Sequence, residues 1–354
     1  MKKYIALLLT LAMALACCAT GVAEGKKISI VTTIFPIYDW AREIVGTEME
    51  HVDLTLLMNS GVDLHSYQPT VQDMVRISTC DVFIYVGGES DDWVSGALQE
   101  AVNRDMKVVN LVKAMGESIK TEEIVEGMEH DHDHEEDHDH EAEDDHDHEE
   151  DDDHDQEAED DHDHGEDEDH DHDHGDEVDE HVWLSLRNAQ KLVKALAEAI
   201  GETDPDHAET YQANAAAYIE KLAELDARYA ETVRSAAFQT LLFGDRFPFR
   251  YLVDDYGLDY YAAFSGCSAE SEASFATIVF LARKVDELNL PAVMTIENPK
   301  FHIAETIIEN TEAKNQKVLS LDSMQGITGR DVQAGVTYLS VMENNLQILQ
   351  NALN

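Results

Sequence analysis

The chain has 354 residues, with 75 acidic against 24 basic side chains, a formal charge of −51, and 43% hydrophobic residues. That apolar share supplies a core for one large or two ordinary domains, and the negative charge repels nucleic acid while attracting cations. The charge is local: residues 121–180 hold 36 of the acidic residues and no Lys or Arg, and the remainder is a mildly acidic globular composition.

The first 24 residues read as an export signal. Lys2 and Lys3 form a basic head, Tyr4 to Ala16 is almost unbroken apolar sequence, and small residues follow. Cys17 and Cys18 stand where a bacterial lipoprotein is cleaved and acylated, and either is a candidate for the lipid that would tether the mature chain outside the membrane. Cys80 and Cys267 are the other cysteines; they lie far apart and fit neither a zinc knuckle nor a Cys-x-x-Cys redox unit. Cys80 closes a helical pattern and reads as a small buried hydrophobe.

From residue 25 the pattern alternates. Strands are expected at Ile28–Thr32, Val52–Leu57, Asp81–Val86 and Lys107–Leu111, with helices at Phe35–Val45, 70–80 and 91–101. After residue 236 the same grammar returns. Strands are expected at Gln239–Phe243, Leu258–Ala262, Ala292–Ile296 and Val318–Leu321, and helices at Phe249–Tyr256, Ser274–Leu288, His302–Thr311 and Val332–Leu349. Short connections between alternating strands and helices predict parallel sheets covered on both faces. Between the two halves, residues 205–235 contain no Gly after Pro205, and apolar positions recur at Tyr211, Ala215, Tyr218, Leu222, Leu225, Tyr229 and Val233. Such a helix is a rod of roughly 45 Å. The expected architecture is α/β: two Rossmann-like parallel-sheet lobes (25–204 and 236–354) joined by one long rigid helix, with ligands in the cleft at the carboxyl ends of the strands.

The acidic tract within the first lobe, 121–180, carries thirteen histidines: His130, His132, His134, His138, His140, His146, His148, His154, His162, His164, His170, His172 and His174. Almost nothing in it is apolar and its charges repel, so a disordered loop is expected. Neutral imidazoles among carboxylates bind zinc, copper, nickel or cobalt, here as several weak sites that fade in mild acid. Three further residues suit an ordered site: His65 after a strand in SGVDLHSYQPT, His181 in DEHVWLSLRNAQ, and Asp322 ending the strand of KVLSLDSMQG. His51, His207 and His302 stand apart and read as surface or packing histidines.

At VTTIFPIYDWAREIVG, GVDLHSYQPTVQDMVRISTCDVFIYVG, EHVWLSLRNA, YQANAAAYIEKLAELDARY, DDYGLDYYAAF and LSLDSMQG the chain resembles the zinc- and manganese-binding solute receptors of bacterial ATP-driven (ABC) metal uptake systems. The resemblance implies two first-lobe histidine ligands, at His65 and His181, and a second-lobe carboxylate at Asp322. It also implies a third histidine, but Arg246 occupies that register, and arginine only donates hydrogen bonds. Asp245 next door is the favoured substitute; Glu270, Glu272, a water or a tract histidine are the others. Glu297 is read as a cleft-edge residue behind the ligands, with Trp183 and Tyr67 packed around the site. The resemblance further implies zinc as transported cargo, with manganese as the alternative, a permease and its ATPase as partners, a monomer, and location on the outer face of the cytoplasmic membrane. Competing readings are an extracellular metal buffer or adhesin, and a metal-dependent hydrolase. No Gly-x-Ser-x-Gly, Gly-x-Gly-x-x-Gly or Walker-type loop supports an enzyme.

Overall fold

Two sheets of four strands repeat one topology. The first contains β1 (Ile28–Thr32), β2 (Val52–Leu56), β3 (Val82–Tyr85) and β4 (Lys107–Asn110), all parallel, in the order β2-β1-β3-β4. The second contains β5 (Thr240–Phe247), β6 (Asp259–Ser265), β7 (Ala292–Ile296) and β8 (Lys317–Leu321), parallel in the order β6-β5-β7-β8. Every residue of β3 and β7 is buried, which is why these strands read as unbroken apolar runs rather than alternating ones. The computed structural model describes residues 27–128, 177–268, 272–297 and 302–354. The export segment, the thirteen tract histidines and Glu270 lie outside the described residues.

The first lobe carries α1 (Phe35–Val45), α2 (Val71–Thr79), α3 (Trp93–Gln99), α4 (Leu111–Met115) and α5 (Leu186–Thr203). The joining helix is α6 (Ala208–Arg234), and the second lobe carries α7 (Arg250–Tyr256), α8 (Phe275–Leu288), α9 (Ile303–Glu309), α10 (Gly329–Gln333) and α11 (Tyr338–Ala352). The seven apolar positions read from the spacing of α6 are the seven that it buries. They pack on α1 and α5 on one side and on α7 and α11 on the other. Tyr229 donates its hydroxyl to the Met342 carbonyl at 2.6 Å, and Asn214 donates to the Ile44 carbonyl at 3.0 Å, so α6 is bonded to both lobes.

Four boundaries differ from expectation. Helix α5 is not among the expected elements, although buried Leu192, Val193, Leu196, Ala197 and Ile200 fall at helical spacing behind the Ser185 cap. Helix α6 begins at Ala208 rather than at residue 205; the Asp204 carboxylate before it accepts the Tyr211 hydroxyl at 2.7 Å and faces His207 Nδ1 at 2.8 Å. The single C-terminal helix is two, interrupted at Gly335, whose φ of +94° is the left-handed geometry glycine adopts without strain, and restarted at the Thr337–Ser340 capping box. Finally, β5 extends through Asp245 and Arg246, with a register shift against β6 between Phe243 and Arg246 that re-aims the side chains there.

One hydrophobic core runs through both lobes and α6. At its centre Trp40 meets Tyr338 edge-on at 5.1 Å, and the Tyr338 hydroxyl donates to the Trp183 carbonyl at 2.7 Å. The Tyr338 N–H donates to Asp39 Oδ2 at 2.7 Å, so the start of α11 is pinned to α1 of the other lobe. Cys80 lies in a separate first-lobe cluster, buried as expected, its thiol pushed up to about 12 by burial.

Candidate metal centre

The order of each sheet reverses beside its first strand, and the loops leaving the carboxyl ends there face across the molecule. His65 follows β2 within a short 3-10 turn, where Asp63 caps the turn by accepting the His65 N–H at 3.0 Å. His181 ends an irregular segment ahead of α5 and is fully buried. The two rings approach with centroids 5.4 Å apart and Nε2 atoms 3.4 Å apart.

Each ring is held from behind. His65 Nδ1 lies 2.7 Å from Ser90 Oγ, while the Ser90 N–H donates to Glu180 Oε1 at 2.8 Å. His181 Nδ1 lies 3.0 Å from Asp179 Oδ1, the same oxygen that accepts the His181 N–H at 2.8 Å. With a carboxylate at Nδ1, the His181 proton belongs there and Nε2 presents its lone pair toward His65. Burial alone would depress His181, but the Asp179 charge and hydrogen bond outweigh it and raise its pKa. Burial, followed by the charge of His181, lowers His65 to about 3. The Glu180 side chain fills the space where a Cβ at Gly88 would stand, 2.4 Å from Oε1, and Gly88 has φ of +87°, so this turn admits only glycine.

The third group at this point is Cys267. Its Sγ and the two imidazoles place ligand atoms within 4.8 Å of one another. Cys267 follows β6, so it belongs to the second lobe, and Glu122 Oε1 accepts its N–H at 2.9 Å. Burial first, then the Glu122 charge, raises its thiol far above the ordinary range. Gly266 brings this loop close: a Cβ there would stand 3.1 Å from His181 Cε1 and 3.0 Å from the Phe247 carbonyl oxygen. The spacing of Cys267 to other cysteines gave no reason to single it out. Its signal was position, in the same SGCSAESEAS loop that supplied Glu270 and Glu272 as candidates.

The carboxylates expected from the sequence line the second-lobe wall outside this group of three. Asp322 Oδ1 accepts the Met324 N–H at 2.7 Å, and burial, then the Glu297 charge, raises the carboxyl to about 7. Glu297 gathers the same loop, accepting from Ser323 N at 2.7 Å, Ser323 Oγ at 2.8 Å and the N–H groups of Gln325 and Gly326 at 3.1 Å. That loop touches the first lobe, because Gln325 Oε1 accepts the Leu64 N–H at 3.3 Å beside His65. Asp245 accepts from Arg246 N at 2.9 Å and Ile296 N at 3.2 Å, inside the sheet edge. Among the described residues, Asp245, Asp322 and Glu297 do not enter the group formed by His65, His181 and Cys267. Glu272 is exposed. Trp183 packs against His181 at 5.2 Å between centroids, and its indole donates to the Ser323 carbonyl at 2.9 Å. Tyr67 turns away, donating to Asp73 at 3.1 Å. Arg246 crosses the cleft, with Nη2 2.5 Å from Asp63 Oδ2.

Residues 30–352 match the family described as ZnuA, zinc-uptake complex component A, periplasmic. The chain belongs to this family. Among ZnuA relatives, the zinc-binding lipoprotein AdcA of Streptococcus pneumoniae is 33% identical over 99% of this chain, which spans only 61% of that longer protein. The high-affinity zinc uptake system protein ZnuA of Bacillus subtilis is 29% identical, over 94% of this chain and 89% of its own. The zinc-bound ZnuA-like domain of Streptococcus pneumoniae AdcA superposes with a TM-score of 0.64 at 27% identity, covering 92% of this chain and 99% of that domain. The family's description is that of a zinc-uptake component rather than of a hydrolase.

Proposed function

We propose that the chain is an exported receptor that takes up a zinc ion between its lobes through His65, His181 and Cys267 and passes it to an ABC permease. The observation that carries this reading is the imidazole pair, with both Nδ1 atoms against oxygens and the Nε2 atoms facing each other at 3.4 Å. Two Zn–N bonds of about 2.0–2.1 Å at a tetrahedral angle separate their nitrogens by about 3.3–3.4 Å. The first lobe is therefore already spaced for the ion.

Cys267 adds a ligand from the second lobe, where the family's third histidine is replaced by Arg246. A tetrahedral N–Zn–S edge is about 3.5 Å, which falls inside the 4.8 Å within which the three ligand atoms lie. We assign the fourth position to Asp322, whose loop rests on Leu64 beside His65; Asp245 shapes the sheet edge behind it. Thiolate and imidazole together favour zinc over manganese, which prefers oxygen ligands. Ligands from both lobes make occupancy and closure one equilibrium.

The histidine tract is rooted beside this centre. Thr121 bridges Val178, and the Asp179 N–H donates to the Lys120 carbonyl at 2.9 Å, so the residues leading into and out of 129–176 meet next to His181. In this reading the tract collects ions weakly outside the cytoplasm, and the cleft takes them from it. A lipid on Cys17 or Cys18 keeps the receptor near its permease.

The test is a zinc competition titration of the full chain against a tight chelator. One tight equivalent, weakened by His65→Ala or His181→Ala while the weak tract sites persist, is expected. Tight binding unchanged by both substitutions would remove the cleft from the account.

A further inference from the structure

A second group of metal-competent side chains lies at the opposite end of β2. Glu48 and His51 sit in the 3-10 turn that precedes β2, and His207 immediately precedes α6. His65 follows β2 at its other end, and five residues of strand separate the two places by about 16 Å. Glu48 Oε2 lies 3.9 Å from His51 Nε2 and 3.7 Å from His207 Nε2. The three ligand atoms fall within 4.8 Å of one another. The two rings stack, with centroids 4.8 Å apart and planes 20° from parallel.

The backing of His207 is the second observation. Its Nδ1 lies 2.8 Å from Asp204 Oδ2, and that oxygen also accepts the Tyr211 hydroxyl at 2.7 Å. A carboxylate at Nδ1 fixes the ring and its tautomer and leaves the Nε2 lone pair facing outward, the arrangement that supports a histidine bound to zinc. Here the outward nitrogen faces Glu48 and His51. The support beneath is firm as well: Asn214 of α6 is bonded to the Ile44 carbonyl and fills the space above Gly46, so the turn and the start of α6 keep their spacing. Sequence alone reads His51 and His207 as surface or packing histidines; their grouping with Glu48 is the ground for reading them otherwise.

We propose that Glu48, His51 and His207 form an auxiliary site for a divalent transition ion that accepts imidazole, zinc foremost, with a fourth position open to water. The side chains are 24%, 51% and 29% exposed respectively, so the ion enters from solvent without any lobe movement. Three ligands, one of them a mobile exposed ring, give weaker binding than the cleft. The bound ion clamps the turn that follows α1 to His207, the residue before α6. It therefore reinforces the joint from which the spine leaves the first lobe.

Carbethoxylation of histidines in the full chain, read by peptide mass spectrometry at buffered free zinc, tests the site. His302, whose side chain is 90% exposed, serves as the unprotected reference. At free zinc ten times the dissociation constant, modification of His51 and His207 should slow together by about tenfold, because the metal-free fraction falls by that factor. His302 should not change. Glu48→Gln should shift the protection of both rings to higher zinc, and His51→Ala should do the same for His207, while His65→Ala leaves it intact. Unaltered reactivity of both rings at free zinc raised far above the level that saturates the cleft, or protection of one ring without the other, would overturn the proposal.

Discussion

Arg246 of the second lobe rests on Asp63 of the first, guanidinium to carboxylate at 2.5 Å, and the other Asp63 oxygen accepts the backbone N–H of His65. A residue unable to bind a cation thus fastens the turn that carries His65. Burial pushes the Asp63 carboxyl up, but the Arg246 hydrogen bond and then its charge, with a smaller contribution from His65, outweigh burial and lower it. Arg246→Ala should lower zinc affinity several-fold by loosening closure. Because both partners are partly exposed, global stability should fall by no more than about 1 kcal/mol. Competition titration and urea unfolding of the same protein separate the two effects.

Asp179 is the positioning partner of His181. Replacing it with Asn keeps the size but removes the charge that fixes the Nδ1 proton. Zinc affinity should fall by about 10–100-fold, the usual cost of losing a carboxylate behind a ligating histidine. Asp179→Glu should recover part of it. Equal losses in Asp179→Asn and in the thermal stability of the metal-free chain would point to folding instead.

Proton release reports on Cys267. Its thiol stays protonated at neutral pH in the metal-free receptor, because burial and then Glu122 raise its pKa. Ligation displaces that proton, so apparent affinity should rise with pH, by at least about tenfold per unit near neutrality. His65, held near 3, adds nothing to this slope. Below the raised pKa of His181 a second proton competes and the dependence steepens. Calorimetry at one equivalent of zinc, in buffers of differing ionisation enthalpy, should find about one proton fewer released from Cys267→Ala.

The lobes share a core, and Tyr338 is where this is most exposed to test. Tyr338→Phe keeps the ring against Trp40 but leaves the buried Trp183 carbonyl without its donor. A loss of about 1–3 kcal/mol in unfolding free energy is expected. Denaturant unfolding followed by tryptophan fluorescence measures it.

How far the sequence could be read follows from what each feature depends on. Helix α6 was legible because its seven buried positions obey one period, and the strands because β3 and β7 are buried on both faces. His65 and His181 were legible through their flanking segments, which resemble a family. Cys267 was not, since it reaches the histidines through the tertiary meeting of β6 with the segment before α5, at a separation no local pattern encodes. Glu48, His51 and His207 escaped for the same reason, being joined only when the turn after α1 packs on the start of α6. The helix boundaries failed at Asp204 and Gly335, where side-chain partners and a positive φ decided what composition left open.

The most direct test is crystallography of the full chain with one equivalent of zinc, using anomalous differences across the zinc edge. The account predicts one strong peak about 2.0–2.1 Å from Nε2 of His65 and of His181 and about 2.3 Å from Sγ of Cys267. A zinc peak bound to neither imidazole, or one ligated by both while Cys267 remains outside bonding distance, would contradict it.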